Sequence, residues 1–181
     1  LTTMKTIGLY LKTERSDMGK TLILIRGLSG AGKATLEDII TGENEEREAV
    51  SVDDFFVDDE GVYKFEPNSI KQAHKWCLEE TTELLHDKEI NLVVVHNTFT
   101  RKFEVDPYRD LAGKMKVRFF VINLYDGGCN DSQLSERSQY GVPSYIIQKQ
   151  RQRWEKDVYR ENYRKKTRFH NPPRGRPPYA Y

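Results

Sequence analysis

An α/β fold in three layers, with helices on both faces of a mostly parallel central sheet, is the fold class the sequence predicts. Three observations predict it. Short runs that are apolar at consecutive positions recur along the chain, as strands buried on both faces do. These runs alternate with segments whose apolar residues repeat every three to four positions, the helical period. Parallel strands also need crossovers, and right-handed βαβ crossovers place helices on both sides of a sheet. At 181 residues the chain suits one domain, which at this size buries about 70% of the surface its unfolded chain exposes.

The first strand is residues 21–26, TLILIR, set between glycines. Residues 27–32 are glycine-rich, and the pattern turns helical from Lys33 to about Thr41. A charged loop at 43–48 leads to a short strand at 49–52. Residues 53–67 mix aromatics with acids and one glycine, which predicts irregular backbone and a tight turn near 59–61. Asn68 or Ser69 can cap the next helix. Its apolar positions Ile70, Ala73, Trp76, Cys77, Leu84 and Leu85 keep a 3.6-residue period to about His86, so Trp76 and Cys77 read as core. Residues 91–95, NLVVV, are the third strand, Pro107 stands near the first turn of a helix ending about Lys114, and 117–124 is the fourth strand. Residues 126–138 are polar and glycine-bearing, suited to a mobile segment. Gly141 and Pro143 punctuate the start of a last helix from about Ser144 to Arg164. Beyond Thr167 four prolines imply an extended tail. The organisation expected is an N-terminal extension at 1–20, with Met18 a candidate start of the compact part, one domain at 21–166, and a basic Pro-rich tail at 167–181.

The chain carries 29 basic and 28 acidic side chains, a formal charge of +1. That balance conceals a division. Residues 144–181 hold 11 Lys or Arg against three Asp or Glu, a surplus of eight that leaves residues 1–143 seven charges negative. No apolar run approaches the roughly 20 residues of a membrane-spanning helix. Cys77 and Cys129 are far apart and lack CxxC spacing, so neither a disulfide framework nor a zinc site is indicated, and an intracellular, cytoplasmic setting fits. The first 20 residues show no apolar core of a signal peptide.

Gly27-Leu28-Ser29-Gly30-Ala31-Gly32-Lys33 fits GxxxxGK between a strand and a helix, the context that gives this motif its meaning. Backbone N–H groups of Gly27, Ser29, Gly30, Ala31 and Gly32 converge on phosphate oxygens, the helix N-terminus adds its dipole, and Lys33 adds a charge for the β and γ phosphates. Position 34 departs from the pattern. A Ser or Thr hydroxyl normally helps hold Mg²⁺ there, and this chain has Ala34 with Thr35 one place later. Adjacent helical residues point about 100° apart, so Thr35 is no direct substitute. Asp53 and Asp54 follow the second strand, which puts both carboxylates at the sheet edge where ligands of open α/β folds bind. One suits accepting a proton from a hydroxyl and the other suits orienting metal-bound water; a solvated acidic loop is the plainer alternative.

Four separated blocks go further. LILIRGLSGAGKATL (22–36), SVDDFF (51–56) with GVYKFEP and AHKWC after it, VVVHNTFTRKFEVDPYRDLA (93–112) and LSERSQYGVP (134–143) follow one another in order. In these blocks the chain resembles the polynucleotide-kinase-like group of P-loop phosphotransferases, which includes the kinase module of phage-type 5′-hydroxyl polynucleotide kinase and the animal Nedd-four-binding-protein-two-like proteins. The resemblance implies a P-loop kinase fold with a lid segment. It also implies ATP or another NTP as donor, Mg²⁺, and a 5′-hydroxyl end of RNA or DNA as acceptor. Asp53 then matches the general base, Lys33 the phosphate-binding lysine, and Arg137 a lid arginine that stabilises the transferring phosphoryl group. Asp54 is the metal candidate, and Phe56, His96 and Asn97 are acceptor-binding candidates. Several positions differ from the family: Ala34; His96 where many members have Asp; Phe99 where many have Asn; Phe56 where phage-type enzymes carry an arginine; and Gln139 and Tyr140 where a second lid arginine is expected.

A lone His is more often structural than liganding. Phe55 and Phe56 suit either stacking on a base or packing at the sheet edge. From Lys149 to Arg176 basic residues interleave with Trp154, Tyr159, Tyr163 and Phe169, a pattern that fits single-stranded nucleic acid. The terminal PPYAY suggests a WW-domain partner, although a PPxY motif would need Tyr at position 180, which is Ala180. Two other functions fit the same residues: a nucleotide- or RNA-binding module without turnover, and a small-molecule, nucleoside-type kinase.

Overall fold

The computed structural model describes residues 19–156 and 158. Strands β1 (Thr21–Gly27), β2 (Arg47–Val50), β3 (Leu92–Asn97) and β4 (Arg118–Tyr125) form one parallel sheet in the order β2-β3-β1-β4. β1 lies inside the sheet between β3 and β4, so both of its faces must be apolar; Leu22, Leu24 and Ile25 are fully buried. Helices α1 (Lys33–Thr41), α2 (Ile70–His86) and α3 (Lys102–Met115) are the crossovers. The chain travels from β1 past β3 to β2, then returns through β3 to β4. Right-handed crossovers in opposite directions place α1 on one face and α2 and α3 on the other. The packing agrees: Ala73, Cys77 and Leu85 of α2 and Val105, Tyr108 and Ala112 of α3 share one core with Leu22, Leu24, Val93 and Val95. Burying each Leu or Val side chain contributes about 1.5–3 kcal/mol.

Three elements differ from the sequence expectation. Helix α3 starts five residues before Pro107, because the Glu104 carboxylate accepts the Arg101 N–H at 2.8 Å and closes a turn upstream. Pro107 therefore sits inside the helix and removes the donor for the Phe103 carbonyl, at an exposed residue where water can serve instead. The segment expected to be mobile contains helix α4 (Asp131–Arg137), capped reciprocally by Asn130 and Gln133 at 3.0 Å each. Helix α5 (Ser144–Gln152) ends well before Arg164. Trp154 turns back to lie 3.9 Å from the guanidinium of buried Arg26, and the Glu155 N–H donates to the Thr100 carbonyl at 2.8 Å, so the chain follows the sheet edge instead of continuing the helix. The turn expected near 59–61 is present, with Gly61 at φ 77° and its N–H on the Asp58 carbonyl. Residues 1–18 of the N-terminal extension, Met18 among them, the Pro-rich tail with its PPYAY end, and Tyr159, Tyr163 and Phe169 lie outside the described residues. Among the described residues, no helix is long and apolar enough to cross a membrane.

Candidate active site

The C-terminal ends of β1, β2 and β3 open into one cleft of about 670 Å³, lined by Lys33, Asp53, Asp54, His96, Asn97 and Arg137 among others. Lys33, Asp53, Asp54, His96 and Asn97 come together because each follows, or ends, a parallel strand, and Arg137 reaches the cleft from the end of α4.

The glycine-rich loop leaves β1 at Gly27. Gly30 and Gly32 adopt φ of 79° and 90°, which favours glycine. Gly30 has a second reason to lack a side chain: a Cβ there would fall 2.1 Å from the Leu134 carbonyl oxygen of α4. Lys33 opens α1 and its ammonium donates to the Leu28 carbonyl at 3.1 Å. Burial pushes its pKa down to about 8, with nearby Asp53 partly opposing. Ala34 and Thr35 both line the cleft. The Ser29 N–H is already committed, since it donates to the Gln150 side-chain oxygen at 3.0 Å while the Gln150 amide donates back to the Ser29 hydroxyl at 3.0 Å. The phosphate role expected of that N–H is therefore taken by a protein partner, and the Ser29 hydroxyl keeps its own hydrogen for a ligand.

Asp53 and Asp54 belong to a 3-10 turn at Val52–Phe56, capped by Ser51. The Asp54 carboxylate accepts the Ser51 N–H at 2.6 Å, closing the capping box. Both acids line the cleft, and there Asp53 Oδ1 accepts the Tyr63 hydroxyl at 3.2 Å. Burial raises its pKa, while Tyr63 and then Lys33 work in the opposite direction. A carboxylate with a raised pKa is a stronger proton acceptor, as a general base needs.

Of the three acceptor candidates, His96 and Asn97 line the cleft and Phe56 does not. Phe56 is buried against Phe55, Tyr63 and Phe65, because the 3-10 turn directs it into the core. Asn97 is engaged structurally: its oxygen accepts the Val52 N–H at 2.8 Å, tying the end of β3 to the loop that carries Asp53. His96 Nε2 lies 3.9 Å from a Glu37 carboxylate oxygen. Burial lowers its pKa more than Glu37 raises it, which favours the neutral imidazole.

Helix α4 and the loop after it border the cleft and are the segment that the resemblance reads as a lid. Arg137 ends α4 and lines the cleft, its Nη1 2.8 Å from Cys129 Sγ. Tyr140 stacks on Tyr63 with ring centroids 3.9 Å apart and planes 17° apart. Arg153 also borders the cleft, at the start of the basic segment. Tyr63, Gln150 and Arg153 are cleft residues that sequence reasoning did not single out. The GVYKFEP block held the signal for Tyr63; Gln150 has none, because only tertiary structure brings it beside Ser29.

Among the described residues, no group of three or more His, Cys, Asp or Glu side chains is arranged to hold a metal. The donor set suits Mg²⁺ in another way, since this ion is usually bound by one or two carboxylates together with substrate phosphates and water. Asp54 supplies such a carboxylate in the cleft, and Ala34 contributes no ligand.

Fold and cradle together make a P-loop fold: a parallel sheet whose first strand runs into a GxxxxGK loop that opens a helix. The chain is 31% identical over 112 residues to human NEDD4-binding protein 2, a match that covers 62% of this chain and 6% of that protein. In fold it is similar to a chain of the Pnkp1/Rnl/Hen1 RNA repair complex, with a TM-score of 0.54 and 15% identity over 77% of this chain and 45% of that one. A gluconokinase from Sinorhizobium meliloti 1021 also aligns, 20% identical over 76% of this chain and 75% of that one, at a TM-score of 0.48. No protein-family model matches. The chain is thus similar in sequence to part of NEDD4-binding protein 2 and in fold to a chain of the RNA repair complex.

Proposed function

We propose that the chain transfers the γ-phosphate of ATP, or another NTP, to a 5′-hydroxyl end of RNA or DNA. The observation that carries this reading is the pairing of Lys33 with Asp53 across one lidded cleft, each within the other's electrostatic field. A phosphate-binding cation beside a half-buried carboxylate is the minimum set for moving a phosphoryl group to a hydroxyl. The similarity in fold to a chain of an RNA repair complex supports the nucleic-acid acceptor.

In this reading the N–H groups of Gly30 and Gly32 and the Lys33 ammonium hold the triphosphate with its γ-phosphate toward Asp53, since the Ser29 and Ala31 N–H groups are already bonded to Gln150 and the Leu28 carbonyl. Asp53 accepts the proton of the attacking hydroxyl as the new P–O bond forms and the bond to the β-phosphate oxygen breaks. Arg137 neutralises charge on the transferring group, and the lid excludes water that would otherwise compete as acceptor. Asp54 would hold Mg²⁺ together with the phosphates, and the ion would supply further charge neutralisation.

The test is transfer of labelled γ-phosphate to a 5′-hydroxyl oligonucleotide, with free nucleosides as competing acceptors. Transfer to the oligonucleotide is expected, falling at least about 100-fold in Asp53→Asn, the scale of a lost general base. A folded protein that transfers nothing across a range of Mg²⁺ concentrations overturns the reading, and transfer to nucleosides alone reassigns it to a small-molecule kinase.

A further inference from the structure

The block GVYKFEP is part of the family resemblance yet has no part in the chemistry above. Its residues form a short excursion after the 3-10 turn. Val57 and Tyr63 make an antiparallel bridge, the Lys64 N–H donates to the Phe56 carbonyl at 2.7 Å, and the turn at Gly61 closes the tip. This geometry returns Tyr63 to the cleft beside Asp53, ten residues earlier in the chain.

Tyr63 then makes two contacts at once. Its hydroxyl donates to Asp53 Oδ1 at 3.2 Å, and its ring lies 3.9 Å from that of Tyr140, nearly parallel. Tyr140 comes from the lid loop, three residues after Arg137. That loop is itself held: Gly141 takes φ of 61°, the Val142 N–H donates to the Ser138 hydroxyl at 3.1 Å, and the Ser135 hydroxyl donates to the Val142 carbonyl at 2.8 Å. The near-parallel rings span the cleft between two segments that share no secondary structure. Phe56 and Phe65 pack around Tyr63 at 6.2 and 6.5 Å, which limits its freedom to rotate.

We propose that Tyr63 is a positioning residue that couples the lid to the base: seating of Tyr140 on its ring fixes the phenol, and the phenol fixes which oxygen of Asp53 faces the acceptor. One carboxylate oxygen is occupied by Tyr63, so the other is presented to the hydroxyl that attacks. Lid closure and alignment of the base become one event, and Arg137 arrives on the same segment. A base aligned only when the lid is shut does not activate a hydroxyl, or water, over an open site. The proposal rests on the phosphotransferase reading above, with Asp53 as base.

The experiment measures kcat and KM for labelled phosphate transfer to a 5′-hydroxyl oligonucleotide in the full chain and in Tyr63→Phe, Tyr140→Ala and Tyr140→Phe. Tyr63→Phe keeps the ring and loses only the hydroxyl. It is expected to lower kcat by roughly 10-fold to 100-fold, the scale of a misaligned reacting group, with KM for ATP and the melting temperature unchanged. Tyr140→Ala is expected to lower kcat similarly, and Tyr140→Phe, which retains the stack, to restore it. A Tyr63→Phe enzyme with kcat within twofold of the unaltered chain overturns the proposal while leaving the phosphotransferase reading intact. So does a loss shared equally between kcat, KM for ATP and melting temperature, or a Tyr140→Phe as slow as Tyr140→Ala. An unaltered chain that transfers nothing overturns the underlying reading and this proposal with it.

Discussion

Lys33 sits beneath the loop it serves, its ammonium turned to the Leu28 carbonyl and its pKa pushed down by burial to about 8. An unfolded lysine titrates near 10.5, so between about pH 8 and 10.5 the unfolded chain binds more protons than the folded one. Stability contributed through this group therefore rises with pH across that window, and at pH 7 holding the buried cation costs stability. Lys33→Met is expected to raise the melting temperature at pH 7 by a few degrees, from a gain on the order of 1 kcal/mol. The gain should shrink toward pH 10, and nucleotide binding should be lost throughout. Thermal melts from pH 7 to 10 with and without ATP check this; a Lys33→Met protein less stable than the original at pH 7 contradicts it. At this scale the sequence was partly legible. Lys33 and the Asp53–Asp54 pair declare themselves by motif and by strand-end position, since both depend only on neighbours along the chain. Phe56, which the sequence leaves open between stacking and packing, is packed in the fold, because adjacent aromatics on a 3-10 turn point in different directions and only the fold decides which one is buried.

The elements show how the cradle is held in place. The glycine-rich loop is flexible by composition, yet it is clamped from two sides: Gly30 lies directly against the Leu134 backbone of α4, and Ser29 exchanges two hydrogen bonds with Gln150 of α5. Gln150 is buried, so its amide has few alternatives to Ser29. Replacing it with Leu keeps the volume while leaving the Ser29 N–H and hydroxyl without these partners, a cost of about 1–3 kcal/mol for a buried donor. Gln150→Leu is thus expected to lower stability by about that amount in a denaturant titration and to weaken ATP binding, whereas Gln150→Glu retains an acceptor for the Ser29 N–H and should recover part of the stability. Equal stability of Gln150→Leu and the original chain would remove the clamp from the account. Strands and crossovers were legible because burial on both faces writes itself as consecutive apolar residues. Helix α4 was missed although Asn130 and Gln133 carry a capping signature, since its polar composition masked a helix whose one fully buried residue is Leu134. The early end of α5 had no local signal; it follows from Trp154 seating on Arg26, a residue 128 positions earlier.

Across the whole molecule, the division between an acidic body and a basic C-terminal segment is reshaped by the fold. Arg151, counted among the basic residues of that segment, is turned inward and paired with Asp126 at 2.6 Å and Asp131 at 2.8 Å, which fastens α5 to the start of the lid helix. Trp154 is likewise packed between Arg26 and Tyr125, so it is not an open platform for a base. The basic run 149–176 that fits nucleic acid therefore keeps exposed Lys149 and, at the rim of the cleft, Arg153; its densest stretch in sequence, Arg164, Lys165, Lys166 and Arg168, lies outside the described residues. A cation at the cleft rim followed by a run of cations is the order needed if the 5′ end enters the cleft while the rest of the strand follows the C-terminal segment. Each phosphate so contacted releases counterions, and for single strands the slope of log affinity against log salt falls by about 0.7 per contact. Substituting those four residues with Gln in the full chain is expected to make that slope shallower by up to about 3. Transfer to a single free nucleoside, or the affinity for ATP alone, should not change. Arg151→Gln should act in the opposite manner, lowering thermal stability with little effect on the slope, because its charge is already spent on Asp126 and Asp131. Filter-binding titrations from 50 to about 300 mM salt separate the two outcomes, and a slope unmoved by the fourfold substitution would place the strand on another face.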